Sequence, residues 1–156
     1  MNLCIVWERD DGGVCVTHPA PNARNENETD EQFAERIRIK DIPAGRPHHI
    51  QRSDALPSRR FREAWRQVGG GIGVDLPSAR SIVMADLRAE RNRRLTETDA
   101  EKNRLDDVGT SQEKNALRVR RQALRDLPVV VGAEIAAMTA GQLEAYQAAW
   151  PGLAEV

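Results

Sequence analysis

Apolar residues bunch at the start of the chain, scatter through the middle and return at helical spacing beyond residue 75. Leu3 to Trp7 form one apolar run and Val14 to Val16 another, with Asp11-Gly12 between them. Two short apolar runs around Asp-Gly predict a β-hairpin, because the favoured two-residue turn needs positive φ at both positions. With Asp11-Gly12 as the turn, Trp7 faces Val16 as a buried anchor. Leu3, Ile5, Trp7, Val14, Val16 and His18 then share one side, and Cys4, Val6, Cys15 and Thr17 the other. Pro19 and Pro21 end the second strand, since proline cannot donate to a ladder.

The next segment, Asn22 to Asp30, is polar and reads as an exposed connection. Thr29-Asp30-Glu31-Gln32 has capping-box form, and Phe33, Ala34, Ile37 and Ile39 follow at near-helical spacing, predicting a helix over 31–40 that Pro43 and Gly45 stop. Pro47 to Gln51 is a short strand. Phe61, Ala64 and Trp65 fall on one helical face and pack both rings on the hairpin, and Gln67 to Asp75 is a glycine-rich turn leading into another short strand.

From Asp75 the pattern changes. Asp75 is placed to cap a helix with Pro77 in its first turn, where the missing N–H costs nothing. No proline or glycine follows until Gly109, so one helix is predicted over 77–106, roughly 45 Å long at 1.5 Å per residue. Its first half carries Ala79, Ile82, Val83 and Leu87, and its second half has only Ala89, Leu95 and Ala100 among charges. A second helix, 111–127, presents Leu117, Leu124 and Leu127 and ends at Pro128. Helices joined by a short loop lie antiparallel, and this pair has an apolar base and a charged tip that gains little from burial. A last helix opens at the capping box Thr139-Ala140-Gly141-Gln142, runs through Leu143, Tyr146 and Trp150, and stops at Pro151. The fold class is therefore α+β: a small antiparallel β-rich domain over 1–75, a long charged helical hairpin over 76–128, and a short C-terminal helix and tail over 129–156.

Composition narrows the function. The 156 residues carry 23 Lys and Arg against 24 Asp and Glu, a net charge of −1. A nucleic-acid binder usually shows a basic excess. The clusters Arg91-Asn92-Arg93-Arg94 and Arg118-Val119-Arg120-Arg121 are interleaved with Glu90, Glu97, Asp99 and Glu113, which reads as ion pairing along helices, so nucleic acid is disfavoured as a partner. No stretch approaches the roughly 20 apolar residues of a membrane helix and no basic leader precedes the first apolar run; the chain reads as soluble, unexported and without a membrane partner. Cys4 and Cys15 are roughly 13 Å apart along the ribbon, beyond the about 7 Å a disulfide spans, and read as free thiols.

No chemistry-bearing constellation emerges. Gly69-Gly70-Gly71-Ile72-Gly73 lacks the Lys-Ser/Thr of a phosphate loop and the spacing of a dinucleotide turn. His48 and His49, as neighbours on a strand, point to opposite faces and cannot share a metal. Nucleophile-elbow, zincin and Cys/His signatures are missing. The expectation is a protein without catalytic residues, metal or cofactor.

Several segments together resemble small proteins encoded among the tail genes of tailed bacteriophages: RDDGGVCVTHPAPN (9–22), DIPAGRPHHI (41–50) and LPSRRFREAWRQVGGGIGVD (56–75) in the front half. In the back half, SARSIVMADLRAERNRRL (78–95), RRQALRDLP (120–128) and AYQAAWP (145–151) are similar to tail-fibre assembly proteins and tail assembly chaperones. There an Arg-rich helix precedes an R-x-x-L-R-D-x-P segment, here Arg121, Leu124, Arg125, Asp126 and Pro128, and a terminal Trp-Pro, here Trp150-Pro151. The apolar, Trp-containing stretch that often joins the two helical parts of those proteins is here 95–109, which has no aromatic residue. The resemblance implies a non-enzymatic virion component, made in the host cytoplasm and part of or attached to the tail fibres, acting by protein–protein contact. Its alternatives are a dissociable tail-fibre assembly chaperone and, less favoured, a nucleic-acid-binding accessory protein. The partners implied are phage tail or tail-fibre proteins and further copies of the chain, met through Leu95, Leu105, Arg91, Arg94 and Arg121.

Overall fold

A computed structural model of the chain describes residues 2–150. The chain divides into two compact units, residues 1–79 and 80–156. The division falls between Ala79 and Arg80, inside the first long helix.

The first unit is built on β1 (Leu3–Glu8), the middle strand of an antiparallel sheet between β2 (Val14–Thr17) and β3 (His48–Arg52). Both faces of β1 are covered, which explains a nearly continuous apolar run instead of alternation. On one face Cys4, Val6 and Val14 pack around Trp65, with Val16, Leu56, Ile72 and Val74 against them. On the other, Ile5 meets Phe33, Ile37 and Ile42, with Trp7 and Ile50 beside them. The helix supplying Phe33 and Ile37 is α1 (Asp30–Asp41), opened by the expected capping box: Gln32 N–H donates to Thr29 Oγ1 at 3.2 Å and Thr29 N–H to Gln32 Oε1 at 2.9 Å. Ile39, expected on the buried stripe, is 66 % exposed, and Ile42 past the helix end takes its place.

The β1–β2 register differs by one residue from the sequence expectation. Trp7 stands opposite Cys15, and Val6 opposite Val16. The turn holds three residues: Arg9 N–H donates to Gly13 O at 2.8 Å, Gly12 N–H donates to Arg9 O at 3.1 Å, and Gly12 sits at φ 74°. This is a tight turn followed by a left-handed residue, the favoured three-residue loop, and Gly13 N–H donating to Asp11 Oδ1 at 2.8 Å fastens it. One extra loop residue flips every side chain of the second strand. Val14 and Val16 therefore join Cys4 and Val6, while Trp7 is only half-buried and its indole N–H donates to Thr17 Oγ1 at 3.2 Å. Cys4 and Cys15 carry free thiols on opposite faces of the sheet. Burial raises the pKa of Cys4, against a weaker opposing hydrogen bond with Ser53.

A 3₁₀ segment, Arg59–Ala64, delivers Phe61 and Trp65 into the interior at 1 % and 2 % exposure. Trp65 opens β4 (Trp65–Val68), which pairs with β5 (Gly71–Val74). Gly69 and Gly70 join them at φ 55° and 84°, the two positive values a two-residue hairpin turn requires.

In the second unit the single helix expected over 77–106 is two: α2 (Leu76–Glu97) and α3 (Asp99–Val108). The start is as expected, with Ser78 N–H donating to Asp75 Oδ2 at 2.9 Å. The break lies at Thr98, the buried polar residue of the unit at 5 % exposure. Thr98 N–H and Oγ1 both donate to Leu95 O, at 3.2 and 2.8 Å, and Arg121 Nη1 reaches the same oxygen at 3.0 Å. That carbonyl is taken up by groups other than the N–H of the next turn, and a threonine hydroxyl turned back on its own helix is a known cause of bending. Thr98-Asp99-Ala100-Glu101 has the same sequence form as Thr29 to Gln32, yet Thr98 makes no cap: its backbone is helical and its hydroxyl turns back to Leu95 O.

Gly109 lies between α3 and α4 (Ser111–Val130), so close to Leu105 that a Cβ would come within 2.6 Å of its carbonyl oxygen. Helix α4 does not stop at Pro128. Proline withholds one N–H, yet Val131 N–H donates to Leu127 O at 3.0 Å and the helix runs on to Val130. Two short helices follow, α5 (Gly132–Ala137) and α6 (Ala140–Ala145), the second with the expected Thr139–Gln142 box. Helix α6 ends five residues before Trp150, and Pro151, expected as its stop, lies outside the described residues. Apart from Thr98, the buried positions described in this unit are aliphatic: Val83, Leu87, Leu105, Leu117, Leu124, Leu127, Val131, Ile135 and Leu143.

Candidate functional site

The arginines that the sequence marks as partner contacts turn inward. Arg121 leaves α4 toward the α2–α3 break, with Nη1 3.0 Å from Leu95 O and 2.8 Å from Asp99 Oδ1, and its side chain is 14 % exposed. The same Nη1 also donates to Thr98 Oγ1, so one guanidinium nitrogen gathers three oxygens of the break. Arg94 donates to Glu90 Oε1 at 2.7 Å and lies 4.4 Å over the Trp150 ring. A cation over an indole face is attracted by the ring's quadrupole, so this contact ties the residues after α6 back to α2. Arg91 reaches Arg125 O at 3.4 Å, while its Nε is buried without a partner.

The two leucines divide. Leu95 is half-buried and contributes its carbonyl. Leu105 is 3 % exposed and packs inside the hairpin, with its edge on the floor of the groove described below. The tip expected to gain little from burial is closed by Leu105, Leu117 and the tight approach of Gly109.

Further pairs lace the hairpin. Arg120 bonds Glu101 across α3 and α4, Lys102 holds Asp106 at 2.7 Å, and Arg93 binds both Glu90 and Glu97. Arg93's hydrogen bond, and then Arg94's, pull Glu90 down to about 2. Most of the positive charge read as a possible nucleic-acid patch is thus neutralised within the unit.

Two grooves lie on either side of the Leu105–Leu117 seam. One side is a groove of about 650 Å³ with Ala116, Val119 and Ala123 along α4 and a rim of alternating sign, Glu101, Arg104, Glu113 and Arg120. Val119 is 55 % exposed there. The other is a groove of about 290 Å³ lined by Lys102, Lys114, Arg118, Arg121 and Arg125, with Asp106 the acidic residue among them. No sequence signal placed these grooves, because they depend on how α3 and α4 meet. The spacing of Lys114, Arg118, Arg121 and Arg125 was visible as one helical stripe.

The other residues weighed as sites do not assemble. His48 and His49 leave β3 on opposite faces. His48 is exposed, while His49 bonds Gln51 Oε1 at 2.9 Å and Gln67 Nε2 at 3.1 Å. Among the described residues no group of three His, Cys, Asp or Glu side chains is placed to hold a metal ion, and no helix is long and apolar enough to cross a membrane. The run Gly69–Gly73 is the β4–β5 turn with the start of β5.

Fold and site together define an α+β protein whose helical unit is a hairpin fastened by arginines, with its remaining features on the outer faces of α3 and α4. That unit is similar to phage tail assembly chaperones: residues 84–153 match the family described as phage tail assembly chaperone protein. The match lies within the helical unit and leaves the sheet unit outside. It supports a role in phage tail assembly. No curated protein and no solved structure matches the chain.

Proposed function

We propose that the protein is a tail assembly chaperone. It binds a phage tail protein through the helical unit, by protein–protein contact without catalysis, and leaves before the virion is mature. The observation that carries this reading is the family match over 84–153, which covers the hairpin and both of its grooves. A permanent tail or tail-fibre component would use the same surfaces, and the partition of the protein decides between the two. In infected-cell lysate the chain is expected in complex with a tail protein, and in purified virions it is expected to be missing. Stoichiometric presence in virions, measured by quantitative mass spectrometry, would replace the chaperone reading with the structural one.

Self-association belongs to the same reading and runs through the larger groove. The groove is lined by Ala116, Val119 and Ala123, an apolar strip that a second copy would cover, with charges of both signs at its rim. Sedimentation velocity at high micromolar concentration is expected to show a dimer that Val119→Glu dissociates. A strictly monomeric wild type removes this element of the reading.

A further inference from the structure

We propose that the smaller groove between α3 and α4 docks an acidic segment of a partner protein chain. Lys114, Arg118, Arg121 and Arg125 recur along α4 at steps of four, three and four residues, which places them on one face. Lys102 adds a fifth cation from α3, and Leu105 and Leu117 form the floor.

The cations are not equivalent. Arg121 is committed to Asp99 and the carbonyl of Leu95, and Lys102 to Asp106. Lys114 donates only to the backbone oxygen of Asp106 at 3.1 Å, and Arg118 to the Asn115 side-chain oxygen at 2.9 Å. Among the described residues no carboxylate forms a close ion pair with Lys114, Arg118 or Arg125, although the charge of Lys114 is felt by Asp106, which Lys102 already holds. Elsewhere in the unit Arg94 and Arg120 each have one carboxylate partner and Arg93 has two. Like charges one helical turn apart repel, and carboxylates from outside would relieve that.

Geometry favours a protein segment over a nucleic acid. The stripe from Lys114 to Arg125 is roughly 16 Å long at 1.5 Å per residue, three turns of helix. The groove's volume of about 290 Å³ admits one or two side chains, and its floor is aliphatic. The matching ligand carries carboxylates about one helical turn apart with an aliphatic residue between them to meet Leu105 and Leu117. This rests on the chaperone reading only in taking the partner to be a tail protein.

The test uses the full chain and a fluorescein-labelled helical peptide with Glu at positions i, i+4, i+7 and i+11 and Leu on the same face. Its controls are the same peptide with Lys for Glu, and a single-stranded and a duplex oligonucleotide. Fluorescence anisotropy is expected to show binding of the acidic peptide only, weakening as salt shortens the range of the attraction. Arg118→Glu with Arg125→Glu is expected to lose at least about tenfold in affinity, each reversal replacing an attraction by a repulsion. Neither residue holds the hairpin together, and unchanged helical circular dichroism confirms it; Lys114→Gln, a milder change, serves if the double variant misfolds. Equal affinity in the variants, no binding of the acidic peptide, or tighter binding of an oligonucleotide overturns the proposal. A protein found in mature virions that still binds the peptide keeps the groove and loses the chaperone reading. A protein missing from virions that ignores the peptide does the opposite.

Discussion

The two units of this chain are held by different physics. The sheet unit buries large rings and thiol or aliphatic side chains on both faces of one strand: Trp65 and Phe61 are 2 % and 1 % exposed, and Cys4, Ile5 and Val6 are fully buried. The helical unit buries no aromatic ring. Its leucines form a thin seam, and arginines bridge the places the seam does not fill, Arg121 across the helix break and Arg94 onto Trp150. A chain with 4 % aromatic residues cannot give both units a ring-filled core. The sheet unit has the rings, and the helical unit uses long side chains whose stems cover apolar surface while their heads bond carbonyls.

The largest effect that follows is in the sheet unit. Trp65→Ala removes the side chain around which Cys4, Val6 and Val14 pack, and is expected to cost about 3–5 kcal/mol. Hydrogen exchange resolved by peptide should show lost protection over β1, β2, β4 and β5. An equal loss of protection over α3 and α4 would mean that the two units do not keep separate cores.

A smaller effect is expected from Arg121→Met, which keeps much of the stem and removes the donors. The Thr98 hydroxyl and Leu95 carbonyl still have each other, so the loss is about 1–3 kcal/mol, read by chemical denaturation followed at the helical circular dichroism band. Exchange should quicken near residues 95–102 and remain unchanged over the sheet. No measurable cost would show that the leucine seam alone holds the hairpin, and the contrast between the units would fail.

Much of this was legible in the sequence. The capping boxes at Thr29 and Thr139 announced their helices because local hydrogen bonds set them, and the Asp75 cap did the same for α2. The burial of Trp65 and Phe61 followed from their spacing. Two features were misread for identifiable reasons, and a third kind of contact was not legible at all. The hairpin register turned on Gly12 alone taking a positive φ in a three-residue loop, and Asp-Gly signals a hairpin without fixing loop length. The break at Thr98 involves Arg121 from another helix, a contact that local spacing does not show. The internal partners of Arg91, Arg94 and Arg121 were not legible, because a sequence shows charge and not the carbonyls, carboxylates and indole that receive it.

The smallest expected effect separates the units by their ion pairs under acid. In the sheet unit Glu28 is held down to about 2, first by its hydrogen bond with Arg36, which binds both carboxylate oxygens at 2.8 and 2.9 Å. In the helical unit Glu90 stands at about 2 through Arg93 and then Arg94. Both folded values lie below the ordinary glutamate value of 4.5, so the folded chain binds fewer protons than the unfolded one across this window. The stabilisation is complete above the unfolded value and falls away as pH drops toward 2. The effect is small because surface pairs contribute little and are screened. The two sites differ in exposure: the Glu28 side chain is 10 % exposed and that of Glu90 31 %. Added salt should therefore flatten the acid response of the helical unit more than that of the sheet unit. Denaturation midpoints between pH 5 and 2.5, with Glu28→Gln and Glu90→Gln, at about 0.05 and 0.5 M salt, read the difference. An identical salt response in both variants would mean that the helical unit's arginine pairs are as sheltered as those of the sheet unit.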